Sequence, residues 1–236
     1  MEEQDGIPVK PDIIGIFVSP FIFVVILWLI KYVEWKYNWN FTEYGLYPKS
    51  ISGLRGIFFS PLIHSDFYHL LSNSIPLLIL GSMMLHFYKS ITYKVFFMVY
   101  LFSGTGAWFF ARPSYHIGAS GLVYGLVCFL FVSGVIRRNI QLLALSMLVT
   151  FLYGGLVWGI LPLPTGMSWE SHLMGSIVGI VCAWLYREQG PRNTEYKWED
   201  EDTDPNWYPP EELATLDSEK PDAPVINYEI KEKESK

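Results

Sequence analysis

Ser120 lies in the tetrapeptide Gly118-Ala119-Ser120-Gly121, and His172 opens the glycine-spaced run His172-Leu173-Met174-Gly175-Ser176-Ile177-Val178-Gly179. A serine hydroxyl is a weak nucleophile until a neighbouring base takes its proton, and imidazole, with an ordinary pKa of about 6.5, suits that task. A peptide carbonyl attacked by Ser120 becomes an oxyanion that needs hydrogen-bond donors. The Ser120 backbone N–H at a helix N-terminus is one. His69 and Asn73, four residues apart and so on one helix face, offer two more from their side chains. Losing one such donor typically costs ~3 kcal/mol of transition-state stabilisation. A serine–lysine pair does similar chemistry, but no lysine falls near the start of either stretch. No carboxylate clearly completes a triad, and Asp66 and Glu170 read as groups at the solvated rim. A zinc site needs about three protein ligands. His64 and His69 are five apart, lack the glutamate of an HExxH helix, and would need His172 as the third. His86 and His116 require only interfacial or loop roles.

The elements that carry these residues are apolar. The chain has 236 residues, 51% hydrophobic and 17% charged, and the apolar residues cluster in blocks rather than spreading over a soluble core. A membrane-crossing helix needs roughly 20 mainly apolar residues, and six stretches qualify: residues 13–33, 68–88, 91–111, 119–136, 141–161 and 171–186. Pro20 and Pro76 fall inside spans, where neighbouring helices can satisfy the freed carbonyls. Polar residues within spans usually face the protein interior and serve a purpose. Here they gather at the starts of the second, fourth and sixth spans, which run in one direction, so they sit at one depth on one side. Small residues let helices approach closely in lipid. Gly175, Gly179 and Ala183 form a stripe on the sixth span, and Gly121 and Gly125 one on the fourth. Docking the stripes brings Ser120 and His172 together, although such a stripe also serves plain packing.

Charge placement predicts orientation. Lys89, Lys94, Arg137, Arg138, Arg187, Arg192 and Lys197 flank one side, which the positive-inside rule assigns to the cytoplasm together with both termini. Residues 188–236 carry 15 acidic and 6 basic side chains, a balance of −9. This stretch reads as an acidic, disordered cytoplasmic tail, and residues 1–12 as a short cytoplasmic N-terminus. The N-terminus lacks the basic region of a cleaved signal peptide. The first loop, residues 34–65, is dense in aromatic residues and suits the headgroup level, as a surface element or a substrate contact. Cys128 and Cys182 read as small buried residues. No basic face points to nucleic acid.

Three segments together resemble the rhomboid intramembrane proteases: His64-Ser65-Asp66-Phe67-Tyr68-His69-Leu70-Leu71-Ser72-Asn73, then Gly118-Ala119-Ser120-Gly121, then His172 through Gly179. The resemblance implies an all-α, six-transmembrane-helix bundle over residues 13–187 with a water-filled cavity. It implies Ser120 as nucleophile, His172 as base, and His69 with Asn73 as oxyanion hole. Tyr124 would pack on the catalytic histidine, Gly118 would shape the site, and His64 would support it by hydrogen bonding. Substrates would be transmembrane segments of other membrane proteins in the lipid bilayer, with no cofactor; separately, the lack of an obvious organelle-targeting segment favours a bacterial inner membrane. Family members often carry a Trp-Arg pair in the first loop; here Gly53-Leu54-Arg55-Gly56 stands there, with Arg55 for the arginine. A proteolytically silent relative that binds membrane clients is the alternative, though silent relatives usually lack the serine or the histidine. A transporter would show an inverted repeat, and none is visible.

Overall fold

The computed structural model describes residues 14–152, 158–162 and 168–191. The N-terminal residues before these and the acidic tail after them lie outside the described residues. The described chain is all-helical apart from a single bridge between Leu46 and His116. Its α-helices are α1 (Gly15–Tyr37), α2 (Gly56–Phe59), α3 (Phe67–Phe87), α4 (Thr92–Phe110), α5 (Ser120–Arg137), α6 (Ile140–Leu152) and α7 (Trp169–Leu185).

By length and composition α1, α3 and α5 are able to cross a bilayer, and α6 is a shorter apolar helix. Their outer faces are apolar rather than charged: Phe21 and Leu29 of α1, Phe97 and Phe102 of α4, and Val181 and Trp184 of α7 are all exposed. Lipid, with no hydrogen bonds to offer, is the solvent for such a surface. The expected fifth span, residues 141–161, is not one helix. The described helix ends at Leu152, and Trp158–Ile160 forms a 3₁₀ turn.

Helix α5 is the centre of the bundle, packing against α3, α4, α6 and α7, while α1 packs on α3. Its buried Leu122, Leu126, Phe129 and Leu130 join Leu70, Leu77 and Leu80 of α3, Val95 and Val99 of α4, and Cys182 and Ala183 of α7 in one core. The largest interface is α5 with α7, and glycine makes it possible. A Cβ on Gly175 would strike the Gly121 carbonyl, and one on Gly179 would strike the Gly125 carbonyl. The two stripes are therefore in backbone contact. We expect Gly175→Leu to destabilise the protein by about 3 kcal/mol or more, since overpacking here meets backbone rather than a yielding side chain. Thermal unfolding in detergent checks this, with Gly175→Ala shifted in the same direction by less.

The loop after α1 returns to the bundle through α2, whose Ile57 lies against Gly104 of α4. Arg55 stacks on Tyr44 with its guanidinium carbon 4.6 Å from the ring centroid, and donates to the Glu43 carbonyl at 2.8 Å. Trp39, Tyr44, Phe58 and Phe59 stay exposed around it, as a segment at the headgroup level requires.

Candidate active site

Helix α5 begins at Ser120 because Gly118 turns the chain with φ +108°, a conformation that favours glycine. The Gly118 N–H donates to the Ser60 carbonyl at 2.8 Å, anchoring the turn. Ser120 is thus the first residue of its helix, where backbone N–H groups have no intrahelical partner. Across the glycine seam, His172 stands in the first turns of α7, buried, with Nε2 2.7 Å from Ser120 Oγ. Its other nitrogen, Nδ1, lies 2.8 Å from the Gly159 carbonyl. A carbonyl only accepts, so Nδ1 carries the hydrogen, and the neutral ring presents a lone pair to Ser120. Tyr124 stacks on the imidazole at 4.2 Å between centroids and 9° between planes. The ring is fixed in both tautomer and orientation, and its Nε2 is aimed to take the hydroxyl proton.

The segment before α3 builds the facing wall. Asp66 caps the helix, accepting the His69 N–H at 2.8 Å and the Ser65 hydroxyl at 2.6 Å. Those two bonds, the hydroxyl first, hold the Asp66 carboxyl below its ordinary pKa. Ser65 Oγ is also 3.1 Å from His69 Nδ1. With its own hydrogen directed at Asp66, Ser65 accepts, so His69 carries a hydrogen on Nδ1. The opposite edge of the His69 ring, with Nε2, covers Gly118, where a Cβ would collide with it. Turning the Ser65 hydroxyl onto Nδ1 moves the ring hydrogen of the neutral imidazole to Nε2, beside Gly118. Asn73 is buried and uses one amide hydrogen on the His69 carbonyl at 2.9 Å. His64 Nε2 accepts the Ala119 N–H at 3.4 Å, next to the nucleophile, and its ring meets His69 edge-on at 5.1 Å. Burial, then the His69 charge, lowers the His64 pKa to about 3, so it stays a neutral acceptor at physiological pH.

Ser120, His172 and Tyr124 thus form one cluster, and His64, His69 and Gly118 adjoin it through Ala119 and Gly118. The three histidines of the zinc alternative hold different partners, and no metal-binding group of His, Cys, Asp or Glu forms among the described residues. A cavity of about 20 Å³, lined by Ser60, Ser103, Gly118, Gly121 and Ser171 among others, lies beside the site. That is room for about one water.

One rim assignment is corrected, and the expected loop residue His116 gains partners. Glu170 is not solvated: it is 4% exposed, with Oε1 3.5 Å from Arg112 Nε and 3.4 Å from the Arg112 backbone nitrogen. His116 is more than a loop residue. It is buried, with Nδ1 2.5 Å from Ser168 Oγ and Nε2 3.0 Å from the Arg112 carbonyl. Both tie the α4–α5 connection to the start of α7. Sequence reasoning also missed the Gly159 carbonyl, and no residue-type signal could have found it, since every residue carries a carbonyl. Ser65 was visible only as a neighbour of Asp66.

A family model described as "Rhomboid domain" matches residues 52–189. Uncharacterized proteins of Mycobacterium tuberculosis and Mycobacterium bovis are each 34% identical to this chain over 172 residues, 69% of this chain and 72% of the relative. An uncharacterized protein of Mycobacterium leprae is 34% identical over 173 residues, 69% of this chain and 68% of the relative.

Proposed function

Because the chain belongs to the rhomboid family, we propose that it is an intramembrane serine endopeptidase cleaving transmembrane segments of other membrane proteins. The observation that carries this reading is the 2.7 Å contact between Ser120 Oγ and an imidazole whose other nitrogen is held by the Gly159 carbonyl. In the first step Ser120 Oγ bonds to the scissile carbonyl carbon while its proton passes to His172 Nε2. The carbonyl oxygen becomes an anion facing the Ser120 N–H, Asn73 and His69. His69 donates from Nε2 as a neutral imidazole, its Nδ1 then accepting the Ser65 hydroxyl hydrogen. Collapse breaks the C–N bond, and His172 returns the proton to the leaving amine. A water, for which the small polar cavity is a source, then attacks the acyl-enzyme with His172 again as base. None of these steps calls for a cofactor.

Residues 13–187 are the proteolytic membrane domain in this reading, with both termini cytoplasmic and residues 188–236 as an acidic tail. Three mycobacterial relatives and the lipid-facing exterior fit a bacterial inner membrane. The test is cleavage of a fluorogenic transmembrane reporter by purified protein in lipid vesicles with chelator present. Wild type is expected to cut it. Asn73→Ala is expected to lower kcat by about 100-fold, the usual cost of one oxyanion donor, with KM little changed. Folded wild type that binds the reporter without cutting it would instead identify a client-binding protein.

A further inference from the structure

Lys31 lies on membrane-crossing α1, where a charge is costly. A lysine near a helix end ordinarily extends its ammonium to the water interface. This one turns into the protein, with its side chain 11% exposed. Its ammonium has three acceptors for its three hydrogens: Glu34 Oε2 at 2.8 Å, the His64 carbonyl at 3.0 Å and the Ser65 carbonyl at 2.9 Å. The second Glu34 oxygen accepts the Phe41 N–H at 2.9 Å. The pair therefore grips both ends of the first loop.

The two carbonyls are particular ones. They precede the Asp66 cap, outside any helix, and polar backbone in such a setting needs a donor. Their own side chains reach the site from opposite directions. His64 accepts the Ala119 N–H, one residue before the nucleophile, and Ser65 holds His69 Nδ1. One ammonium thus fixes the backbone that carries His64 and the Ser65 hydroxyl that orients His69. We propose that Lys31 is a positioning residue for peptide-bond cleavage, setting His64 on the Ala119 N–H and His69 over Gly118 at the start of the nucleophile's helix. This rests on the protease reading above. Lys31 touches neither Ser120 nor His172, so its effect belongs to oxyanion stabilisation and not to activation of the serine. A plain structural clamp between α1 and the loop is the competing explanation. It predicts lost stability with unchanged turnover in the molecules that remain folded.

The experiment uses the full chain in lipid vesicles, the transmembrane reporter, and titration of the reactive serine with a fluorophosphonate, so that kcat is expressed per active molecule. Lys31→Met is expected to lower kcat per titrated serine by about tenfold or more, with KM within about twofold. Lys31→Arg, which keeps a multiple donor, should recover to within about threefold of wild type. Glu34→Gln keeps one acceptor oxygen, which can serve Lys31 or the Phe41 N–H but not both, and leaves the two carbonyls on Lys31; it should lose less than Lys31→Met. Wild-type kcat in Lys31→Met would overturn the inference, as would an arginine that restores nothing. Should Lys31→Met fail to fold, Lys31→Gln against Lys31→Arg carries the same comparison. A wild type with no titratable serine would instead defeat the protease reading itself, and this inference with it.

Discussion

Replacing Ser120 by alanine is expected to lower reporter cleavage by about 10⁶-fold, to a residue supplied by binding and the oxyanion wall alone. The hydroxyl oxygen is the atom that bonds to the carbonyl carbon, and among the described residues Ser120 is the hydroxyl on His172 Nε2. The fold should tolerate the change. Ser120 is half-buried at the first position of α5, and its side chain makes one recorded hydrogen bond, to a nitrogen that water can serve instead. The thermal midpoint should therefore stay close to wild type, and the reporter should still bind. Initial rates at saturating substrate, with binding of the uncut reporter measured in parallel, separate chemistry from affinity. Cleavage that persists in Ser120→Ala would move the nucleophile elsewhere.

His172→Ala is expected to reduce turnover by about 10⁴-fold to 10⁶-fold, because the serine proton then has no acceptor as the carbon–oxygen bond forms. Its structural signature should differ from that of Ser120→Ala. The imidazole also serves the Gly159 carbonyl and lies flat on Tyr124. Removing it leaves a buried carbonyl without a donor, at a cost of about 1–3 kcal/mol. A lowered thermal midpoint in His172→Ala beside an unchanged one in Ser120→Ala is the expected pattern. The double variant should turn over no more slowly than the worse single one, since the two side chains act as a unit. Losses that multiply would mean that the serine and histidine work separately.

What was legible in the sequence follows from which forces leave marks on residue type. Lipid makes polar residues inside spans conspicuous, so the starts of α3, α5 and α7 stood out. Backbone contact between helices demands glycine, so Gly121, Gly125, Gly175 and Gly179 advertised the seam that carries Ser120 to His172. Interactions made by backbone left no such mark. The Gly159 carbonyl fixes the His172 tautomer, and the carbonyls of His64 and Ser65 hold Lys31, yet none of these depends on a distinctive side chain. Charges near helix ends misled for a related reason. Glu170 read as rim because a carboxylate usually prefers water, but Arg112, far away in sequence, provides its partner. Nothing in the local sequence marks the role of Lys31, since two of its partners lie 33 and 34 residues away.

The most direct test is covalent labelling of the detergent-solubilised protein with a fluorophosphonate, followed by mass mapping of the adduct. One phosphonylated site is expected, on Ser120, and none in Ser120→Ala or His172→Ala. Folded wild type that takes no label, or a label that survives the loss of Ser120, would contradict a serine activated by His172.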